Sequence, residues 1–271
     1  MEKQNMEKRE AVVEVKDLVK KFGDRTVLNG VNLKIYKGET FVIMGGSGCG
    51  KSTLLRHIIG NFKPTSGRVS LLGTDITDLE GAQLDDIRKK IGMSFQSSAL
   101  FDSMTVGENV SLPLREHTKL EKNVIDIVVT MKLELVGLRG FDDLMPSEIS
   151  GGMKKRVGLA RAIAMDPRIV FYDEPTAGLD PIMASVIDKL IVDLSKKLSI
   201  TSIVVTHDMK SVMGIADKIA MLHEGRVLET GTPDQIKNSK NPIIQQFING
   251  SFDGPVKFFQ QKDDYLEQLT R

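Results

Sequence analysis

The sequence lacks the means to build a covalently or metal-stapled scaffold. Its 271 residues include one cysteine and four histidines. A single cysteine excludes an intramolecular disulfide and fits a reducing compartment. His57, His117 and His223 show no metal-ligand spacing and read as structural or solvated side chains. An excess of one charge is also missing. Lys plus Arg number 37 against 36 Asp plus Glu, a formal net charge of +1, which argues against nucleic acid or an anionic lipid surface as a non-specific partner. No apolar run approaches the roughly 18 residues that a bilayer-spanning helix needs. The opening Met1-Glu2-Lys3-Gln4-Asn5 has no apolar core and does not read as a signal peptide. Internal repeats and low-complexity linkers are absent. What remains, 41% hydrophobic and 27% charged residues, predicts a cytosolic globular protein of one large domain or a domain with a subdomain.

Strand-like and helix-like segments alternate along the chain. Val13, Val15 and Leu18-Val19 predict an early strand, and Leu33 and Ile35 alternate with polar neighbours as a half-buried strand does. Thr40 to Met44 is a continuous apolar run that leads into a glycine-rich segment and then a helix over Ser52 to Ile59. Val124, Val128, Met131 and Leu135 recur at helical spacing. Arg168 to Tyr172 and Ser202 to Val205 are short runs typical of buried parallel strands. Lys218 to Leu222 and Arg226 to Thr230 flank His223-Glu224-Gly225 as a hairpin.

The glycine-rich segment is Gly45-Gly46-Ser47-Gly48-Cys49-Gly50-Lys51-Ser52-Thr53, which fits G-x-x-x-x-G-K-[ST] between a strand and a helix. Residues without a Cβ let the chain wrap phosphate oxygens and aim successive N–H groups inward. The following helix adds its positive end. Lys51 is placed to reach the β- and γ-phosphates of ATP, and the Ser52 hydroxyl to ligate Mg²⁺. Average residue frequencies put an accidental match at roughly one chain in a hundred of this length. The strand before the loop and the motifs after it remove that alternative.

The run Ile169-Val170-Phe171-Tyr172-Asp173-Glu174 ends an apolar strand in two carboxylates. Alone, it would be a solvated turn. Downstream of a phosphate loop, Asp173 is placed to hold Mg²⁺ and Glu174 to polarise an attacking water. Ser150-Gly151-Gly152-Met153 then precedes a basic helix, Lys154 to Ala162. A hydroxyl and open amides at a helix start form an anion site, and Ser150 also serves as the helix cap.

Taken with Gln96, Asp180 and His207, these motifs resemble the ATPase domain of ABC transporters over almost the whole chain, in that family's order and spacing. The resemblance implies an α/β fold: a RecA-like parallel-sheet core, an antiparallel β subdomain and an inserted α-helical subdomain. It places the ATPase domain at residues 12–231 with the helical insert at about 97–160, and leaves 232–271 as a C-terminal extension. It implies that Phe22 stacks on adenine, that Gln96 contacts Mg²⁺ or the attacking water, and that His207 contacts the γ-phosphate. Ser150, Gly151 and Gly152 would form the signature that binds ATP held on the opposite subunit. Asp180 would lie in the loop that communicates across the dimer, besides capping the helix at Pro181. One set of motifs per chain then implies a homodimer enclosing two ATP molecules.

Gln96-Ser97 with Ala99-Leu100-Phe101, Pro113 to His117, Met153 in the signature, and Gln246 to Gly250 followed by Asp253 to Val256 resemble the Mla/Mce-type phospholipid transport ATPases. That likeness implies a membrane permease as partner, an Mce-domain lipid-binding protein, in some systems a STAS-domain regulator, and a position on the cytoplasmic face of the inner membrane. An ATPase for another importer of amino acids or small solutes is the rival reading. A DNA-repair relative would carry a coiled-coil insertion between Lys51 and Ser150, and a translation-associated one would carry two cassettes. An exposed cluster at Leu100 and Phe101 would suit a permease helix, but from composition alone ordinary packing of a small helical subdomain is the better account. The aromatics Phe258, Phe259 and Tyr265 mark a docking tail or a frayed end. Cys49, inside the phosphate loop, is expected to be open to thiol reagents and protected by ATP.

Overall fold

Two long strands, β1 (Ala11–Phe22) and β2 (Arg25–Tyr36), open the chain as an antiparallel hairpin. With β4 (Ser66–Leu71) and β5 (Thr74–Asp75) they form a sheet in the order β2-β1-β4-β5. The computed structural model describes residues 9–256. Strand β1 buries Val13, Val15 and Leu18, and the odd spacing after Val15 coincides with a register shift at which Asp17 takes φ +46°.

The second sheet runs β10-β9-β3-β8-β7-β6, from β10 (Arg226–Gly231) and β9 (Lys218–His223) through β3 (Thr40–Met44), β8 (Thr201–Thr206) and β7 (Ile169–Asp173) to β6 (Ile91–Ser94). Strands β9 to β6 are parallel, and β10 is antiparallel to β9. Side chains alternate faces along each strand. Phe41 and Ile43 enter one hydrophobic cluster while Val42 and Met44 enter the other; Phe171 and Tyr172 divide in the same way. Both faces are covered, so these strands read as unbroken apolar runs.

Helix α1 (Lys51–Ile58) follows β3 and packs under the first sheet; α2 (Gly81–Arg88) precedes β6. Between β6 and β7 lie α3 (Val106–His117), α4 (Lys122–Leu135), a 3₁₀ turn at Pro146–Glu148, and α5 (Gly151–Ala162). Then come α6 (Pro181–Leu198) after β7, α7 (Met209–Ile215) after β8, and α8 (Pro233–Lys237) and α9 (Pro242–Asn249) after β10. Residues 251–256 fold back on α9, where the Gln246 carboxamide accepts from the Val256 amide at 2.8 Å and donates to its carbonyl at 3.0 Å. Phe258, Phe259 and Tyr265 lie outside the described residues.

The helical periodicity at Val124, Val128, Met131 and Leu135 marks α4, but this is not its core face. Ile125, Val129 and Leu133 are buried, while Val124 and Met131 are exposed and Val128 and Leu135 sit at the margin. Two apolar stripes run along this helix, and only neighbouring α3 and α5 decide which one is inside. Leu100 likewise packs at the edge of the core while Phe101 stays exposed, so the two do not form one cluster.

Asn109 organises the loop between β6 and α3. It is 0% exposed, its Oδ1 accepts from the Phe101 amide, and its Nδ2 donates to the carbonyls of Phe101, Met104 and Thr105. Asn109→Ala leaves several buried backbone groups without partners, for which a loss of about 2–3 kcal/mol in urea-denaturation stability is expected. Wild-type stability would remove Asn109 as the anchor of this loop.

Candidate functional site

Sheet register brings the motif loops together. Met44, the last residue of β3, pairs with Thr206 of β8, and Val205 pairs with Asp173 at the end of β7. Ser94 of β6 pairs with Tyr172. The phosphate-loop segment 45–53, His207, the Asp173-Glu174 pair and Gln96 therefore leave from the same carboxyl edge of four adjacent strands, where open α/β sheets place ligands.

Glycine is required in two places in the phosphate loop. Gly45 has φ +155°, and a Cβ there would lie 2.1 Å from the Leu222 carbonyl oxygen. Gly50 has φ +108°, and its Cβ would come within 3.0 Å of Leu28 and the Val27 carbonyl. Strands β2 and β9 thus press the loop into shape from behind. Lys51 is buried and donates to the carbonyls of Gly45 at 2.8 Å and Gly46 at 3.0 Å, so its ammonium lies over the loop. Ser47, Gly48 and Ser52 are exposed, Gly46 and Thr53 half-buried. His57, one turn along α1 from Thr53, donates from Nδ1 to the Thr53 carbonyl at 2.7 Å, and burial lowers the ring's pKa.

At the end of β7, Asp173 Oδ1 is buried with no hydrogen-bond partner. Burial and the neighbouring Glu174 charge raise its pKa, while Arg56 and Lys51 pull it down. Glu174 takes φ +46°, a conformation uncommon for a side-chain-bearing residue, and its amide donates to Val205 O at 2.8 Å. Its carboxylate accepts from Thr206 Oγ1 at 3.2 Å and from His207 Nδ1 at 2.9 Å. An ionised carboxylate only accepts, so this contact puts the proton on Nδ1 and leaves Nε2 directed elsewhere.

The other predicted residues stand apart from this cluster in ways their elements explain. Ser150 caps α5 by accepting from the Met153 amide, and Gly151 is exposed beside it while Gly152 is buried. Asp180 caps α6, accepting from Ile182 and Met183 amides at 2.9 and 3.0 Å. Phe22 ends β1, 47% exposed, with Phe62 edge-on at 5.9 Å between centroids and Lys20 Nζ 5.1 Å above its ring. A half-exposed aromatic ring fixed by such neighbours suits stacking on a base.

Sequence reasoning missed Phe62 and Lys20 beside Phe22, Thr206 beside Glu174, and Lys155. Thr206 directly precedes His207, which could have drawn notice. Lys155 sits in the run Lys154-Lys155-Arg156 and reads as a solvated base, yet it is buried, burial lowers its pKa, and it reaches the carbonyl of Gln96.

The family described as "ABC transporter" matches residues 28–177. The intermembrane phospholipid transport system ATP-binding protein MlaF of Haemophilus influenzae is 46% identical over 95% of this chain and 98% of its own length. A probable ribonucleotide transport ATP-binding protein, mkl of Mycobacterium leprae, is 40% identical over 93% of this chain and 73% of its own. Among solved structures, the dimeric post-hydrolysis state of the ATP-binding cassette MJ0796 bound to ADP and Pi superposes with a TM-score of 0.75 at 34% identity, covering 82% of this chain and 98% of that one.

Cys49 departs from the expectation of an open thiol. It is 8% exposed and belongs to the cluster behind the loop, and burial raises its pKa further above the ordinary value of 9.0. Little thiolate exists at neutral pH. Labelling of the native protein by a charged thiol reagent at pH 7.5 should run at least about tenfold slower than in urea. Fast stoichiometric labelling of the folded chain would contradict this placement.

Proposed function

The chain belongs to the ABC transporter family, and on that footing we propose that it is the ATP-hydrolysing subunit that powers phospholipid movement through a membrane permease. The observation that carries the hydrolytic part is the Glu174–His207 pair beside Asp173 on the phosphate-loop edge of the sheet. The lipid assignment is carried by identity to MlaF along nearly the full length of both chains.

In this reading, the amides of Gly46 to Ser52 and the Lys51 ammonium hold the β- and γ-phosphates, with the positive end of α1 behind them. Phe22 stacks on adenine. Asp173 offers a buried anionic oxygen with no protein partner, which suits Mg²⁺; Ser52 and Gln96 supply further hard oxygen atoms. The ion, when bound, neutralises phosphate charge. Glu174, held by Thr206 and His207, takes the proton of a water as its oxygen bonds to the γ-phosphorus and the bridging P–O bond breaks, yielding ADP and phosphate. His207 Nε2 is free to face the γ-phosphate. Ser150, Gly151 and Gly152 of a second copy complete each site, with Asp180 near the subunit boundary; the dimeric form of the MJ0796 cassette supports the pairing of two copies.

We read residues 12–231 as one ATPase unit with the helical insert at about 97–160, and 232–271 as an extension that contacts a second subunit or partner. Among the described residues no helix is long and apolar enough to cross a membrane. By likeness to the MlaF relatives, a permease would hold the chain at the cytoplasmic face of the inner membrane, with an Mce-domain lipid carrier and, in some assemblies, a STAS-domain protein.

Glu174→Gln should keep ATP affinity within about threefold and lower turnover by about 10²- to 10⁴-fold, the usual contribution of a general base. Nucleotide-binding titration and phosphate release measure the two; turnover at the wild-type rate would remove Glu174 as the base. Purification of the native assembly followed by mass spectrometry of bound lipid should return phospholipid and an Mce-domain protein. A permease for ribonucleotides, amino acids or sugars instead would overturn the lipid assignment.

A further inference from the structure

Lys155 has no part in the mechanism above, yet it is buried at its centre. It lies on α5, five residues after Ser150, and is 8% exposed. Its Nζ donates to the Gln96 carbonyl at 2.5 Å and stands 3.5 Å from the Glu174 carbonyl. The second contact is long, an ion–dipole attraction more than a full hydrogen bond. An ammonium carries three donors and no acceptor, and when buried it must be surrounded by oxygen. Here the oxygens are main-chain carbonyls of two loops, one after β6 and one after β7.

The same face of α5 grips the rest of the Gln96 loop. Arg161 donates to the carbonyls of Ala99 at 2.7 Å and Ser98 at 2.6 Å. Gly158 lies between them, and a Cβ there would already touch Ser98 at 3.4 Å. Ser98 and Ala99 have φ of +61° and +45°, and Glu174 has +46°. Non-glycine residues hold such angles only where their surroundings impose them. The helix that begins with the signature thus holds the backbone of the loop after Gln96 and reaches the Glu174 carbonyl through Lys155.

We propose that Lys155 is a positioning residue that ties the signature end of α5 to Glu174 and Gln96. Engagement of Ser150 to Gly152 with ATP on a second copy thereby sets the geometry of hydrolysis in this chain's own site. The inference rests on the composite-site reading above. Ser150 and Lys155 are separated by about 7.5 Å of helix, a rigid element that transmits a shift directly. One ammonium then links what the partner's nucleotide does to what this subunit's glutamate can do.

The test uses the 271-residue chain with Lys155→Met, which keeps length and loses the donor, and with Lys155→Arg, which keeps charge, each also made in a Glu174→Gln background, with Glu174→Gln alone as the control. Lys155→Met should lower kcat at least about tenfold while the KM for ATP stays within about twofold, and Lys155→Arg should recover most of the loss. In the Glu174→Gln background, Lys155→Met should still dimerise on ATP addition in size-exclusion chromatography. A kcat within twofold of wild type in Lys155→Met overturns the proposal. So does a loss of ATP-driven dimerisation or of thermal stability shared by the Met and Arg variants, which would make Lys155 a packing residue. Failure of the composite-site reading shows separately, as a Glu174→Gln chain with Lys155 intact that stays monomeric in ATP.

Discussion

Everything at the site depends on the parallel pairing of β3, β8 and β7. Main-chain hydrogen bonds fix Met44 against Thr206 and Val205 against Asp173, so three loops start at one level, one strand-width of about 4.8 Å from the next. A slip of one residue would send every inward side chain to the opposite face, and both faces are packed. The two hydrophobic clusters therefore guard the register, and the register places the lysine, the carboxylates and the histidine. Core packing and catalytic geometry are in this sense the same constraint.

The second feature is incomplete satisfaction. Asp173 carries a buried oxygen without a partner, Lys51 is buried with only neutral carbonyls of its own loop against its charge, and Glu174 has a left-handed backbone. Each is costly by itself, because buried charges need partners and side-chain-bearing residues avoid positive φ. Such groups persist where a triphosphate and a divalent cation supply the missing interactions. Around them stand bonded polar groups, from the caps at Ser150 and Asp180 to the carboxamide of Asn109. Rigid surroundings with unsatisfied centres are the arrangement that positioning chemistry requires.

The helical insert between β6 and β7 belongs to this picture through α5. Its first turn faces outward with the signature, and its later turns hold the loop that follows Gln96. Sequence reasoning saw both ends of that relation without the link. Ser150-Gly151-Gly152 stands out as a motif, while Lys155 and Arg161 look like ordinary bases of a solvated helix. Their roles arise from burial against a loop more than fifty residues earlier, which no local pattern records. The same limit explains α4, where two apolar stripes are equally periodic and only the packing of α3 and α5 selects the buried one.

Local chemistry was legible in the residues themselves. A loop that must wrap phosphate needs glycine at Gly45 and Gly50, a lysine and a hydroxyl at set spacing, and a parallel strand covered on both faces must be apolar throughout. Caps at Ser150 and Asp180 follow from the same short-range rules. The tertiary structure decided what depends on distant segments meeting: the hydrogen bond from His207 to Glu174, the burial of Cys49 behind its own loop, the Phe62 edge against Phe22, and the Lys155 bridge. Spacing along a chain specifies backbone hydrogen bonding and periodicity within a few residues. It carries no measure of how close two such segments come once the sheet has set their register.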